Sequence, residues 1–320
     1  MAVYTTVDEL TLASFLSAYD IGDFISFEGI AEGVENSNYL LRTTKTNYIL
    51  TLYEKRVDAS DLPFFLEVMT HLASKGIDCP LPVPNCNGII LQKLMGKPSA
   101  IFSFLNGKSY RFPNRKKCKA LGSCLAKLHL NTKGVKHTRQ NALGPQSWQP
   151  LLDNIGQRAN QIAPSVEQMT QHQLNSILAA WPQDLPRGII HADLFPNNVL
   201  FDDDDLTGVI DFYFACEDIL AYDISICLNS WCFEADGSFN LTKSRSLIHG
   251  YQAVRKLSDA EINAIPVLAA GSAMRFFLTR LYDWLHTPKD ALVSLKDPME
   301  YWSILQFHQS VSGVGAYGFD

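Results

Sequence analysis

The chain opens on Thr6-Val-Asp-Glu9, a capping-box pattern, after which Leu10, Ala13 and Leu16 recur at helical spacing and predict a first helix. Short β-branched or aromatic runs follow at Phe24 to Phe27, Tyr39 to Thr43 and Tyr48 to Tyr53, separated by Gly, Glu, Asn and Lys, and read as an antiparallel meander. Over Leu62 to Leu72 the period changes: Phe65, Val68, Met69 and Leu72 share one helical face, and Gly76 supplies the stop. Two more strands, Gly88 to Lys93 and Ser99 to Phe104, complete an expected five-stranded sheet with a helix inserted after its third strand. Beyond Asn106-Gly107, Arg115 to His129, Trp148 to Ile162 and Val166 to Trp181 all place apolar residues three or four apart. Within this helical half lies one β island, Gly188 to His191, Val199 to Phe201 and Gly208 to Ile210, and a second capping box, Ser258-Asp-Ala-Glu261, opens a long apolar segment reaching Trp284.

The pattern predicts an α+β protein of two lobes: a β-rich lobe over residues 1–104, with an antiparallel sheet, and a larger, mainly helical lobe over 105–320. At 320 residues and 47% hydrophobic the chain can bury its own core. The net charge of -6 is spread without a basic stripe, which argues against nucleic acid or an anionic membrane surface as partner and favours a small soluble substrate. Met1 to Leu10 has no basic n-region before an apolar stretch, and no apolar run is read as membrane-spanning, so a cytoplasmic setting is expected. The seven cysteines form no C-x-x-C pair, and their odd number argues for reduced core thiols over a disulfide framework. Nothing in the sequence specifies an oligomeric state.

The chemistry concentrates in His191-Ala-Asp193-Leu-Phe-Pro-Asn197-Asn198-Val-Leu-Phe, followed by Gly208-Val-Ile-Asp211-Phe. Phosphoryl transfer needs a carboxylate to orient the acceptor hydroxyl and take its proton, and an amide and a second carboxylate to hold Mg²⁺ on the nucleotide phosphates. Asp193 is the candidate base. Asn198, five residues on, and Asp211, at the end of the next apolar strand, are the candidate metal ligands. Taken singly, each is an ordinary turn or strand-end residue. Together, in a strand-loop-strand-turn-strand frame, they make a catalytic loop, with His191 expected to hold that loop rather than act as acid or base.

This stretch resembles the aminoglycoside phosphotransferase and choline kinase superfamily, whose loop reads His-x-Asp-x-x-x-x-Asn with a later Ile-Asp-Phe or Ile-Asp-Trp. The resemblance covers nearly the whole chain, and implies a protein-kinase-like fold with ATP between the lobes. It carries Glu32-Gly33-Val-Glu-Asn36-Ser-Asn38-Tyr39 over as the nucleotide-covering loop, Glu67 as the helix acid that pairs with a strand cation, and the Ser103 carbonyl and Leu105 amide as adenine contacts. Asp223, in Tyr222-Asp223-Ile-Ser, is implied to brace the catalytic loop. One departure stands out: Thr51 occupies the third-strand position where the family commonly carries a basic residue. Lys55, further along the same face, is the candidate replacement, with Arg42 on the preceding strand as another.

Tyr48 to Arg56, Arg139-Gln-Asn141-Ala-Leu-Gly144 and Ala273-Met-Arg275 through Arg280 to Trp284 resemble the homoserine kinases within that superfamily. The acceptor implied is L-homoserine, whose carboxylate calls for a guanidinium clamp. Arg275 and Arg280, some 140° apart on a helix, are the candidates, with Arg275 preferred. Asn141, with His137 and Arg139, is expected to border the acceptor pocket, and Trp231 and Phe233 are read as core. Choline, methylthioribose or an aminoglycoside as acceptor, and a nucleotide-binding pseudokinase, are the rival readings. Gly313-Val-Gly315-Ala-Tyr-Gly318 matches a dinucleotide fingerprint in letters only, and Asp202 to Asp205 reads as a solvated turn.

Overall fold

The computed structural model describes residues 5–30, 36–54, 58–287 and 295–319. The first helix, α1 (Glu9–Leu16), is capped by Asp8, whose carboxylate accepts from Thr11 N at 2.9 Å. The cap lies two residues past the expected Thr6 because Val7 is drawn into the core, 3% exposed, and keeps the chain extended up to Asp8.

Strands β1 (Phe24–Gly29), β2 (Ser37–Thr43) and β3 (Asn47–Leu52) form the antiparallel meander that alternation predicts. Helix α2 (Leu62–Ser74) follows, burying Phe65, Val68, Met69 and Leu72 as its period requires. The sheet holds six strands among the described residues rather than five: β4 (Pro82–Val83), β5 (Gln92–Leu94) and β6 (Lys97–Ser103) give the order β1-β2-β3-β6-β4, with β5 also on β6. The predicted strand at 88–93 splits because Asn85 Oδ1 accepts from Asn87 N and Ile89 N, both at 2.9 Å, and closes a turn over its first half.

The helical lobe comprises α3 (Arg115–Asn131), α4 (Pro145–Ile155), α5 (Val166–Ala180), then β7 (Arg187–Ile190), β8 (Val199–Asp202), β9 (Asp205–Val209) and β10 (Cys216–Ile219), and finally α6 (Leu220–Trp231), α7 (Leu241–Gln252), α8 (Asp259–His286) and α9 (Pro298–Ser310). β8 and β9 form a hairpin, and β10, which carries no alternating signal, pairs with β7. The Ser258 capping box is complete on both sides. At 28 residues, with an 18-residue window of mean hydropathy 1.3, α8 is long and apolar enough to cross a membrane, contrary to the sequence expectation. Its apolar length serves packing instead, since 67% of that window is buried inside the protein.

Two hydrophobic cores result. A smaller one joins α1 to one face of the sheet through Leu12, Leu16, Leu41, Leu50 and Ile101, and a larger one runs from α2 through α9. Helices α3 and α7 cross at Gly122 and Gly250, where any Cβ would collide with the Leu247 or Lys119 carbonyl. The β8–β9 turn is not merely solvated: Asp204 accepts from Lys117 Nζ at 2.8 Å and Asn114 Nδ2 at 2.9 Å, tying the hairpin to the start of α3. All seven cysteines are unpaired thiols. Residues 313–318 form a short 3₁₀ turn, with no dinucleotide unit around it.

Candidate active site

β7 delivers the chain into a loop whose backbone is claimed from every side. Asp223 of α6, completely buried, accepts from His191 N at 2.7 Å and Ala192 N at 3.0 Å. Arg275 of α8 donates Nη1 to the Ala192 carbonyl, and Trp231 Nε1 donates to Leu194 O at 2.8 Å. The buried His191 ring accepts from Asp193 N at Nδ1 (3.3 Å) and donates Nε2–H to Ile210 O (3.0 Å), and burial holds its pKa below the ordinary value. Ala192 is thereby held at φ +63°, a conformation costing about 1–3 kcal/mol for a residue with a Cβ. Behind Asp223 stands His129, Nε2 at 3.3 Å, itself fixed by Tyr251 OH at 2.8 Å across the Gly122–Gly250 crossing. Burial works against ionisation of Asp223, yet the imidazoles of His129 and His191 and the loop amide at His191 outweigh it and lower its pKa.

On this platform Asp193, Asn198 and Asp211 come together. Asn198, 3% exposed, donates Nδ2 both to the Asp193 carbonyl at 2.8 Å and to its Oδ2 at 3.1 Å. Its own carbonyl accepts from Ile210 N at 2.9 Å, which draws in the residue next to Asp211. Asp211 sits at φ +66°, turning out of β9. An amide oxygen and a carboxylate are a hard, sparse donor set, and among the described residues no group of three or more His, Cys, Asp or Glu could hold a metal alone. That set fits Mg²⁺, which takes one or two protein oxygens and fills its shell from phosphates and water.

Ser103 ends β6, and the chain passes through Phe104 to Gly107 to pair Lys108 N with Phe201 O of β8 at 2.9 Å. Leu105 lies against Gly208 of β9, so this connection sits where the lobes meet, three residues from Asp211. Asn38 Oδ1 accepts from Thr51 Oγ1 at 2.8 Å, and Asn36, buried, accepts from Glu54 N at 3.3 Å. Lys55 lies outside the described residues. Beside Thr51 stand Tyr53 and Tyr213, hydroxyls 3.4 Å apart, with Phe65 edge-on to Tyr213. Aromatic rings therefore fill the face where the family's basic residue is expected.

Glu67, Asn141, Arg139 and Arg275 are placed elsewhere than expected. Glu67 does not point at β3: its carboxylate accepts from Lys136 N and His137 N, both at 2.9 Å, and from the His137 ring at 2.5 Å, clasping α2 to the loop after α3. Asn141 donates Nδ2 to Asp218 Oδ2 of β10 at 2.7 Å, at the end of the β7–β10 pair remote from Asp193. Arg139 is likewise engaged, by Asp61 at 2.6 Å and the Ala215 carbonyl. Arg275 is 2% exposed beneath the loop and cannot meet an acceptor. The loop fasteners Arg275 and Trp231 were missed in that role, because their partners are backbone carbonyls, which no side-chain motif marks.

The Glu67 clasp gives a first prediction. Desolvation opposes ionisation there, but the two amides and the His137 ring outweigh it and bring the pKa down from 4.5 to about 2. A group depressed on folding stabilises above its unfolded pKa and loses that contribution as pH falls through the folded one. Glu67→Gln should lower Tm by about 2 °C at neutral pH. In melts across pH the difference should shrink between pH 4.5 and about 2. A difference that widens in acid would contradict the clasp.

The two-lobed architecture and the Asp193–Asn198–Asp211 loop define a kinase-like phosphotransferase. The family model of the phosphotransferase enzyme family matches residues 26–257, and the chain belongs to that family. Within it the chain falls with the homoserine kinases. It is 54% identical over 318 residues to the homoserine kinase of Agrobacterium fabrum, covering 99% of each, and 54% identical over 318 residues to that of Rhizobium meliloti, covering 99% of this chain and 98% of the relative. Among solved structures, an amicoumacin kinase in complex with AMP-PNP and Ca²⁺ shares the fold at TM-score 0.73 and 17% identity, covering 98% of this chain and 96% of that one. A spectinomycin phosphotransferase in complex with ADP does so at TM-score 0.69 and 13% identity, covering 98% of each.

Proposed function

We propose that the protein transfers the γ-phosphoryl group of ATP to the side-chain hydroxyl of L-homoserine, giving ADP and O-phospho-L-homoserine for threonine biosynthesis. The observation that carries the acceptor is the 54% identity to homoserine kinases over the full chain. In this reading Asp193 accepts the hydroxyl proton while the hydroxyl oxygen bonds to the γ-phosphorus and the bond to the β–γ bridging oxygen breaks. Asn198 holds the Asp193 carboxylate in line through its 3.1 Å bond. Asn198 and Asp211 would hold Mg²⁺, which when bound neutralises phosphate charge. The Ser103 carbonyl and Leu105 amide, at the lobe junction, would bind adenine, and Asn38 would line the nucleotide side of the sheet. The setting we propose is the cytoplasm, in keeping with seven unpaired cysteines.

The test is ADP release by the purified protein with Mg-ATP and homoserine, serine, choline, methylthioribose or kanamycin. Turnover confined to homoserine is the expected result. Turnover with another acceptor alone overturns the substrate and keeps the chemistry, and no turnover with ATP still bound would mark a nucleotide-binding pseudokinase, the reading that Thr51 favours.

A further inference from the structure

With Arg275 committed beneath the catalytic loop, the acceptor's carboxylate needs another cation. Lys296, immediately before the Asp297 cap of α9, carries its Nζ over the ring of Phe195, 5.0 Å from the centroid and two residues beyond Asp193. Phe195 belongs to an aromatic wall: its centroid lies 4.9 Å from that of Phe276 and 6.3 Å from that of Tyr301. Arg280 covers the same wall, Cζ 4.3 Å from the Tyr301 centroid, with Nη1 held by Glu300 at 2.5 Å and by the Asp297 carbonyl at 3.2 Å. Lys296 is exposed, and among the described residues it makes no hydrogen bond or ion pair. Protein atoms crowded around its ammonium, and then the Arg280 charge, hold its pKa below the ordinary lysine value. The charges of Asp193, Glu300 and Asp211 oppose them.

We propose that Lys296, with Arg280 beside it, binds the α-carboxylate of the acceptor, whose methylenes lie on the Phe195–Phe276–Tyr301 wall. The proposal rests on the homoserine reading of the site. In homoserine the carboxylate stands about 5 Å from the hydroxyl by ordinary bond lengths, so a hydroxyl at Asp193 brings it to the rings that carry the two cations. The charges match as well. Two cations and the Glu300 carboxylate face one carboxylate and one ammonium, an arrangement suited to a zwitterion and poorly suited to a polycationic acceptor. A γ-phosphate contact is the rival role for Lys296; its ammonium lies over the Phe195 ring of the aromatic wall, and acceptors with and without a carboxylate separate the roles.

The experiment compares homoserine with 3-aminopropan-1-ol, which keeps the hydroxyl and amine and lacks the carboxylate. Lys296→Met should lower kcat/KM for homoserine by about 30-fold, mostly through KM, as expected for a lost charge-assisted bond. The ATP KM and the 3-aminopropan-1-ol efficiency should stay within about twofold, and Lys296→Arg should recover most of the homoserine efficiency. An equal loss on both acceptors, or a raised ATP KM, overturns the assignment and moves Lys296 to the phosphates. A Lys296→Met enzyme that keeps the wild-type preference for homoserine also overturns it while leaving the acceptor intact. A wild-type enzyme that turns over 3-aminopropan-1-ol and not homoserine instead sinks the acceptor reading, and this inference with it.

Discussion

Asp193→Ala should lower kcat by about a thousandfold, within the range that a positioned general base contributes, while ATP affinity stays within about twofold. The split follows from how the loop is built. His191, Ala192 and Leu194 are held through their backbone groups by Asp223, Arg275 and Trp231, and none of those bonds uses the Asp193 carboxylate. Removing the carboxylate therefore takes away the proton acceptor and one 3.1 Å bond from Asn198, which keeps its 2.8 Å bond to the Asp193 carbonyl. The loop, the proposed metal ligands and the lobe junction stay in place. Steady-state ADP release alongside titration of Mg-ATP binding checks both halves. Wild-type turnover in the variant would remove Asp193 from the chemistry, and a parallel loss of ATP binding would make it part of the nucleotide site.

The catalytic loop was legible because its geometry is local. Asp193 and Asn198 are five residues apart between short strands, and a turn of that length can close only a few ways, so spacing alone brings amide to carboxylate. The meander and α2 were legible for a similar reason: each buries one face, and burial writes a period of two or of about 3.6 into the chain. Elements too short to carry a period were lost. β4 has two residues, and β10, Cys216–Ile219, interposes Glu217 and Asp218 between its apolar ends.

The outer site was legible only as a set of chemical types. Glu67, Asn141 and Arg275 are the right residues for ion pairing, amide recognition and carboxylate binding, but their partners lie 70, 77 and 83 positions away. Which partner each one finds depends on how α2, β10 and α8 dock, and that is decided by core packing. The family comparison shares this limit. It fixes the fold and the kind of reaction, whereas the direction in which Arg275 points turns on a helix rotation of some 140° relative to Arg280. Thr51 shows the converse. Its departure from the family pattern was visible in the sequence, while the Tyr53–Tyr213–Phe65 cluster that fills the space needed the fold to bring Tyr53, just after the end of β3, together with α2 and residue 213.

Arg275→Met should cost about 3 kcal/mol of stability, roughly 6–10 °C in Tm, and should reduce kcat without a selective rise in the homoserine KM. Methionine fills much of the volume but donates nothing, so the Ala192 carbonyl is left buried without its partner. Arg275 also stacks over Phe276 at 4.4 Å and Phe214 at 5.6 Å, and those contacts lose their charge. The consequence falls on Ala192. Its φ of +63° is unfavourable by itself and persists because Asp223 holds its amide while Arg275 holds its carbonyl. With one side released, the peptide can relax, and Asp193 moves with it. A residue that bound the acceptor would behave oppositely, leaving Tm unchanged and raising the homoserine KM alone. Thermal melts and two-substrate kinetics on Arg275→Met and Lys296→Met together therefore separate the roles. The expected pattern is a stability defect at 275 and an affinity defect at 296, and the reverse pattern would return the carboxylate clamp to Arg275.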